Sequence, residues 1–258
     1  MPVETTRIAA IRFGEPPDPG VARTPVTVVV VTTARPLALI TGAGRGLGAA
    51  IARDLAADHD LLVGARSAEA LAAVTGELPG ATPWPVELTD YPAVAAACAP
   101  ITRLDVLVHN AGVADLGTIA DSTVDQWRYT LEANLIAVAE LTRQLLPALR
   151  AANGHVVLIN SGAGLRANPG WASYAAAKFG LRAFADALRA EEPGLRVTSV
   201  FPGRIDTDMQ REIIAGEGRE YRPEEFLKPS TVAAAVGNAV RTPADAHPAE
   251  LVLRPWRH

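Results

Sequence analysis

Tyr174 and Lys178 stand four residues apart in the run Ser173-Tyr-Ala-Ala-Ala-Lys178. On a helix that spacing puts a phenol and an ammonium on one face, with only alanines between them. A tyrosine ordinarily loses its proton near pH 10. A cation roughly 5 Å away, at an effective dielectric near 20, favours phenolate by about 3 kcal/mol, or roughly two pKa units. A phenol drawn toward neutrality in this way could do general acid/base work. Such a pair is ordinarily no more than packing and surface charge, so its surroundings must decide. Ser161 lies thirteen residues earlier, just past the apolar run Val156 to Ile159, and its hydroxyl could polarise a carbonyl. Asn134 falls on the face shared by Leu131, Leu135 and Val138, where a buried amide must find hydrogen-bond partners. A structural helix kink is the plainer reading of Asn134, and it is compatible with a catalytic one.

A second group of residues is suited to phosphate. Thr41-Gly-Ala-Gly-Arg-Gly-Leu-Gly48 directly follows the apolar run Leu37 to Ile40 and opens a helix carrying Leu47, Ile51 and Leu55. Glycines at 42, 46 and 48 let a backbone turn tightly and approach a pyrophosphate, which would meet the exposed amides of the helix start. A tight turn with no ligand is the alternative, and the placement between strand and helix favours a dinucleotide. The next strand ends Val63-Gly-Ala-Arg-Ser67, where an acid would be expected to hold the ribose hydroxyls of NAD. None is present. Arg66 there and Arg45 in the glycine loop could instead fork onto a 2′-phosphate, which favours NADP(H) over NAD(H). Solvated surface charge is the alternative for both arginines.

These groups need a scaffold that gathers loop ends. Short apolar runs recur at Leu37–Ile40, Leu61–Val63, Val106–Val108, Val156–Ile159, Val197–Val200 and Leu251–Leu253, with a weaker one from Trp84 to Leu88. Strands this apolar are covered on both faces, as in a parallel sheet. Helical spacing lies between them, including one long stretch from Val124 to Leu149. The alternation predicts an α/β fold: a single doubly wound Rossmann-type domain, with an about seven-stranded parallel sheet and helices on both faces.

The 258 residues are 49% apolar with a formal net charge of -4. Neither a broad basic surface for nucleic acid nor an acidic tail is present. The apolar run Val28 to Val31 is far below the roughly 20 residues that span a bilayer, and no signal-like organisation accompanies it. The expectation is therefore a cytoplasmic protein without membrane or nucleic-acid partners. Cys98, the single cysteine, sits in an alanine-rich stretch and reads as a buried structural thiol. Histidines are scattered without metal-ligand spacing, so no metal is expected. Residues 1–33, rich in Pro, Gly and Thr, read as a loosely ordered extension ahead of a catalytic domain over 34–258, and Val31 could mark an alternative start.

From about Arg35 to its end the chain resembles the short-chain dehydrogenase/reductase family. Thr41 to Gly48 matches the family's T-G-x-x-x-G-x-G motif, Asn110-Ala-Gly112 its N-A-G motif, and Ser161, Tyr174 and Lys178 its active-site pattern. Pro202-Gly203 with Thr207 resembles the segment that contacts nicotinamide. The resemblance implies a catalytic tetrad of Asn134, Ser161, Tyr174 and Lys178, with Asn134 and Lys178 holding a water relay. It implies a cofactor site made by Gly42, Gly44, Arg45, Gly46, Leu47, Gly48, Arg66, Glu87, Leu88, Asn110, Ala111, Gly112, Pro202, Gly203 and Thr207, joined by Tyr174 and Lys178. His109 replaces the usual first asparagine before that N-A-G motif and reads as a hydrogen-bonded core histidine. Glu87 replaces the aspartate usual beside adenine. The implied activity is NADP(H)-dependent interconversion of a small-molecule carbonyl (a ketone or aldehyde) and its alcohol, with Tyr174 moving the proton, in a homodimer or homotetramer. An idle dinucleotide-binding sensor or scaffold, and an NAD-preferring alcohol dehydrogenase, are the alternatives. Met209, Ile213, Ile214, Tyr221 and Phe226 could line an apolar lid or equally pack on the core.

Overall fold

The central strands are buried along most of their length, so their residues must satisfy two apolar layers at once. In the computed structural model, which describes residues 35–256, the strands are β1 (Leu37–Ile40), β2 (Asp60–Ala65), β3 (Ala81–Pro85), β4 (Val106–His109), β5 (His155–Ile159), β6 (Arg196–Pro202) and β7 (Glu250–Leu253). They form one seven-stranded sheet in the order β3-β2-β1-β4-β5-β6-β7, and every pairing is parallel. The expectation for residues 1–33 lies outside the described residues.

Eight α-helices lie among the described residues: α1 (Gly46–Leu55), α2 (Glu69–Glu77), α3 (Tyr91–Cys98), α4 (Val124–Leu131), α5 (Ala137–Ala152), α6 (Ala172–Glu191), α7 (Asp208–Gly216) and α8 (Pro229–Arg241). Strand alternation divides the core. Leu37, Leu39, Leu107, Val156 and Leu158 face a layer built from α3, α5 and α6. Ala38, Ile40, Val108, Val157 and Ile159 face the layer of α1, α2 and α8. The expected doubly wound architecture with helices on both faces is therefore the one observed. No helix among the described residues is long and apolar enough to cross a membrane.

Two boundaries differ from expectation. The strand expected over Trp84 to Leu88 runs instead from Ala81 to Pro85. Trp84 is buried in the core, its indole N–H reaching the Ala97 carbonyl at 3.4 Å, and the chain then leaves the sheet so that Glu87 and Leu88 reach the crevice. The long helix expected from Val124 to Leu149 is interrupted by a π-helical turn at Glu132–Ile136. Such turns insert one extra residue and collect at functional sites.

Cys98 is 4% exposed at the end of α3, and burial pushes its thiol up to about 12. The native protein should therefore resist a thiol-directed disulfide reagent and react fully once unfolded in guanidinium. Rapid labelling of the folded protein would contradict this burial.

Candidate functional site

The strand order reverses between β1 and β4, whose following loops leave the sheet in opposite directions. Ligands of open α/β sheets bind in the crevice that such a reversal opens at the carboxyl ends of the strands. Here the crevice encloses about 1160 Å³. That exceeds the range of roughly 300–1,000 Å³ usual for one drug-sized ligand, leaving room for a dinucleotide with a second molecule.

The glycine loop shapes one wall. Gly42 (φ 65°) and Gly46 (φ 56°) adopt left-handed backbone conformations, which side chains rarely tolerate. A Cβ on Gly44 would stand 2.5 Å from the Ala70 carbonyl oxygen. α1 begins with no side-chain cap and no acid in its first turn, so its opening amides and positive dipole end face the crevice uncompensated. Gly48 does not line the crevice. A Cβ there would lie 2.2 Å from the Gly42 carbonyl oxygen and 2.5 Å from the Asn110 amide nitrogen, so this glycine seats α1 beneath the loop. All the other positions expected to hold a cofactor border the crevice: Gly42, Gly44, Arg45, Gly46, Leu47, Arg66, Glu87, Leu88, Asn110, Ala111, Gly112, Tyr174, Lys178, Pro202, Gly203 and Thr207.

Asn110 ties the two diverging loops together. Its side-chain amide donates to the carbonyls of Thr41 (3.0 Å) and Gly42 (3.1 Å), while the Thr41 hydroxyl accepts the backbone amides of Asn110 (3.0 Å) and Ala111 (3.1 Å). At the far edge, Arg66 is exposed and has no side-chain partner among the described residues. Arg45 is held by Asp208 of α7 at 3.0 Å. The Glu87 carboxylate accepts from the Thr89 amide and hydroxyl. Donors at a helix start, backbone with no room for side chains and an unpaired guanidinium form a cradle that fits a phosphorylated dinucleotide.

The reactive groups meet at the other end. Tyr174 and Lys178 project from the first turns of α6, with the ammonium 5.7 Å from the phenol ring centre. The Lys178 ammonium donates to the Ile159 carbonyl at 3.0 Å. Ser161 follows β5, and its hydroxyl hydrogen-bonds Tyr174 and accepts the Ala163 amide at 3.1 Å. Asn134 sits in the π-turn, 1% exposed, donating to the Thr130 and Val113 carbonyls and accepting the Val113 amide. A Cβ on Gly112 would lie 2.7 Å from the Asn134 side-chain oxygen and 3.9 Å from the Lys178 ammonium, so that glycine leaves room for both side chains.

One electrostatic expectation is corrected. Without ligand the phenol is not made acidic. Burial raises Tyr174 above its ordinary pKa, partly opposed by the Ser161 hydrogen bond, and lowers Lys178 to about 8. Desolvation penalises both charged forms, and that cost outweighs the mutual attraction counted from sequence alone.

His109 is buried, its Nε2 2.9 Å from the Thr142 hydroxyl, and burial pushes its imidazole down to about 3. That hydroxyl itself donates to the Val138 carbonyl at 2.8 Å, so neutral Nε2–H is the matching tautomer. It is the core histidine expected. The segment left open between lid and core packing divides between them: Ile214 and Phe226 are buried, and Tyr221 donates to Asp206 at 2.5 Å, while Met209 and Ile213 border the crevice.

Several contributors were not singled out from sequence. Asn160 is buried before Ser161, its amide donating to the Lys178 carbonyl and its oxygen accepting the Ser161 amide, which couples the serine to α6. An asparagine closing an apolar strand was the available signal. Trp171, Arg204 and Arg254 also line the crevice, with Arg204 over the Trp171 ring and paired to Glu217.

Comparison with known proteins agrees with this geometry. The model of the family described as short chain dehydrogenase matches residues 36–218. The chain belongs to the short-chain dehydrogenase family. Within it, the chain is 36% identical over 199 residues to Dehydrogenase/reductase SDR family member 7B of Mus musculus; the match takes in 71% of this chain and 62% of the relative. This short-chain dehydrogenase thus spans less than two thirds of that relative's length. Among solved structures, an alcohol dehydrogenase from the archaeon Thermococcus sibiricus complexed with 5-hydroxy-NADP superposes with a TM-score of 0.78 at 28% identity, over 86% of this chain and 98% of that one. A variant of actinorhodin polyketide ketoreductase with NADPH gives 0.79 at 28% identity, over 86% and 96%.

Proposed function

We propose that this short-chain dehydrogenase is an NADP(H)-dependent oxidoreductase interconverting a carbonyl compound and its alcohol. The observation that carries the reading is one crevice with Ser161, Tyr174 and Lys178 at one end and a glycine-lined, arginine-edged wall at the other. NADP-bound relatives of the same fold support the cofactor. The loop from Gly42 to Leu47 would hold the pyrophosphate, Arg66 and Arg45 the 2′-phosphate, and Lys178 the nicotinamide ribose.

When bound in its reduced form, the nicotinamide supplies the hydride that a carbonyl carbon accepts. Tyr174 delivers its phenolic proton to the carbonyl oxygen, and Ser161 donates a hydrogen bond to that oxygen as negative charge develops. Asn134 and Lys178 would hold the water chain that returns the proton to Tyr174. In the reverse direction the same phenol, as phenolate, takes the proton from the alcohol. Ile136 and Phe179 are exposed on α5's approach and α6, which supports pairing of two copies through those helices.

The test is NADPH consumption across a panel of ketones, aldehydes and quinones. Oxidation with at least one carbonyl is the expected result, and none across the panel overturns the reading. Cofactor choice is checked separately. Replacing Arg45 and Arg66 together by alanine should weaken NADPH binding by about tenfold or more while hardly changing NADH. Tighter binding of NADH than NADPH by the unaltered protein would reject the two-arginine assignment.

A further inference from the structure

Arg254 follows β7 directly, and the parallel pairing of Phe201 with Val252 and Pro202 with Leu253 carries it to the carboxyl end of β6. Its Nη1 donates to the carbonyls of Phe201 (2.7 Å) and Leu253 (2.8 Å), which occupies both protons of that nitrogen and fixes the guanidinium. Nη2 lies 3.6 Å from where a Cβ on Gly162 would stand, and Gly162 adjoins Ser161. Gly203 keeps the strand end close, since a Cβ there would meet the Pro255 ring at 3.0 Å.

Two other arginines of the crevice are already engaged. Arg45 pairs with Asp208 and Arg204 with Glu217. Among the described residues no carboxylate pairs with Arg254, and its Nε–Nη2 edge stays free. Arg66, also unpaired, lies past β2, whereas Arg254 lies past β7, on the side of the sheet that carries Ser161. A planar guanidinium presenting one free edge is shaped for two parallel hydrogen bonds to a carboxylate.

We propose that Arg254 is a substrate-binding residue that receives a carboxylate carried by the substrate, which makes the reacting compound an oxo acid or hydroxy acid. The inference rests on the oxidoreductase reading for its reaction, and on the guanidinium's position for its substrate class. The carboxylate lies a few bonds from the reacting carbon, because Ser161 and Gly162 are consecutive.

The experiment compares 2-, 3- and 4-oxo acids with their methyl esters, with NADPH consumption as readout, in the unaltered protein, Arg254→Gln and Arg254→Lys. At least one acid should exceed its ester in kcat/KM by about tenfold or more, mainly through KM. Arg254→Gln should draw acid and ester together, and Arg254→Lys, which keeps the charge, should retain part of the preference. In parallel, the matching hydroxy acids are titrated into NADP+-loaded protein by calorimetry, with NADPH affinity confirming that the crevice is intact in each variant. Arg254-dependent binding of the acids is expected there. Esters equal to acids, a preference that survives Arg254→Gln, or acid binding indifferent to residue 254 overturns the inference. Arg254-dependent acid binding without any turnover upholds it and faults the oxidoreductase reading alone.

Discussion

Tyr174→Phe should cut turnover by about a thousandfold, within the span that a positioned general acid contributes, while NADPH affinity stays nearly unchanged. The ring packs edge-on against Trp171 at 5.8 Å, a contact phenylalanine preserves, so the change removes the hydroxyl and little else. The hydrogen bond between Ser161 and Tyr174 would be lost with it, yet Ser161 stays fixed by the Ala163 amide and by Asn160. Steady-state kcat, measured beside a fluorescence titration with NADPH, separates the two effects. Undiminished turnover would move the proton transfer to another group.

Lys178→Met should abolish most turnover and at the same time make the ligand-free protein more stable. The Lys178 residue is 5% exposed and its ammonium has one hydrogen-bond partner among the described residues, the Ile159 carbonyl, so burial lowers its pKa from 10.5 to about 8. Because the folded value lies below the unfolded one, the unfolded chain binds more protons between them. The destabilisation is therefore full below pH 8 and fades as pH rises toward 10.5. At pH 7 it amounts to about 3 kcal/mol. Losing the hydrogen bond to Ile159 offsets about 1 kcal/mol. The net gain of about 2 kcal/mol raises Tm by roughly 5 °C for a domain of this size. Melts of both proteins at pH 7 and pH 10.5 check the sign, since the gain should vanish at the higher value. A methionine variant that melts earlier at pH 7 would show that the cation is compensated in the free protein. On the proposed reading, a buried ammonium is tolerated here because the nicotinamide ribose would need it.

Much of this architecture is written locally in the chain. β1, β4, β5 and β6 are legible because each is covered on both faces and so must be continuously apolar, and the glycine loop is legible because it has to follow β1 directly. The π-turn at Glu132–Ile136 was hidden, since one inserted residue leaves Leu131, Leu135 and Val138 looking like ordinary helical spacing. Asn134 gave the only hint of it, as an amide among leucines. Lid and core packing stay equal readings in the sequence because periodicity cannot distinguish Ile214, which packs inward, from Ile213, which borders the crevice. Arg254 carried no sequence signal because only the pairing of β6 with β7 brings it beside Gly162. The acidity of Tyr174 is not legible in the sequence for a different reason. Sequence supplies the neighbouring charge, but the cost of removing both groups from water depends on burial that only the folded chain displays.

For Tyr174 to act as the proposed acid and base, a positively charged nicotinamide ring and a fully protonated Lys178 would together have to overcome that cost. Ultraviolet difference titration of the unaltered protein against Tyr174→Phe isolates this one phenol, with and without saturating NADP+. The account predicts ionisation above pH 10 in the free protein and a midpoint at least about two units lower in the complex. A phenol that titrates at the same pH or higher once NADP+ is bound would contradict it.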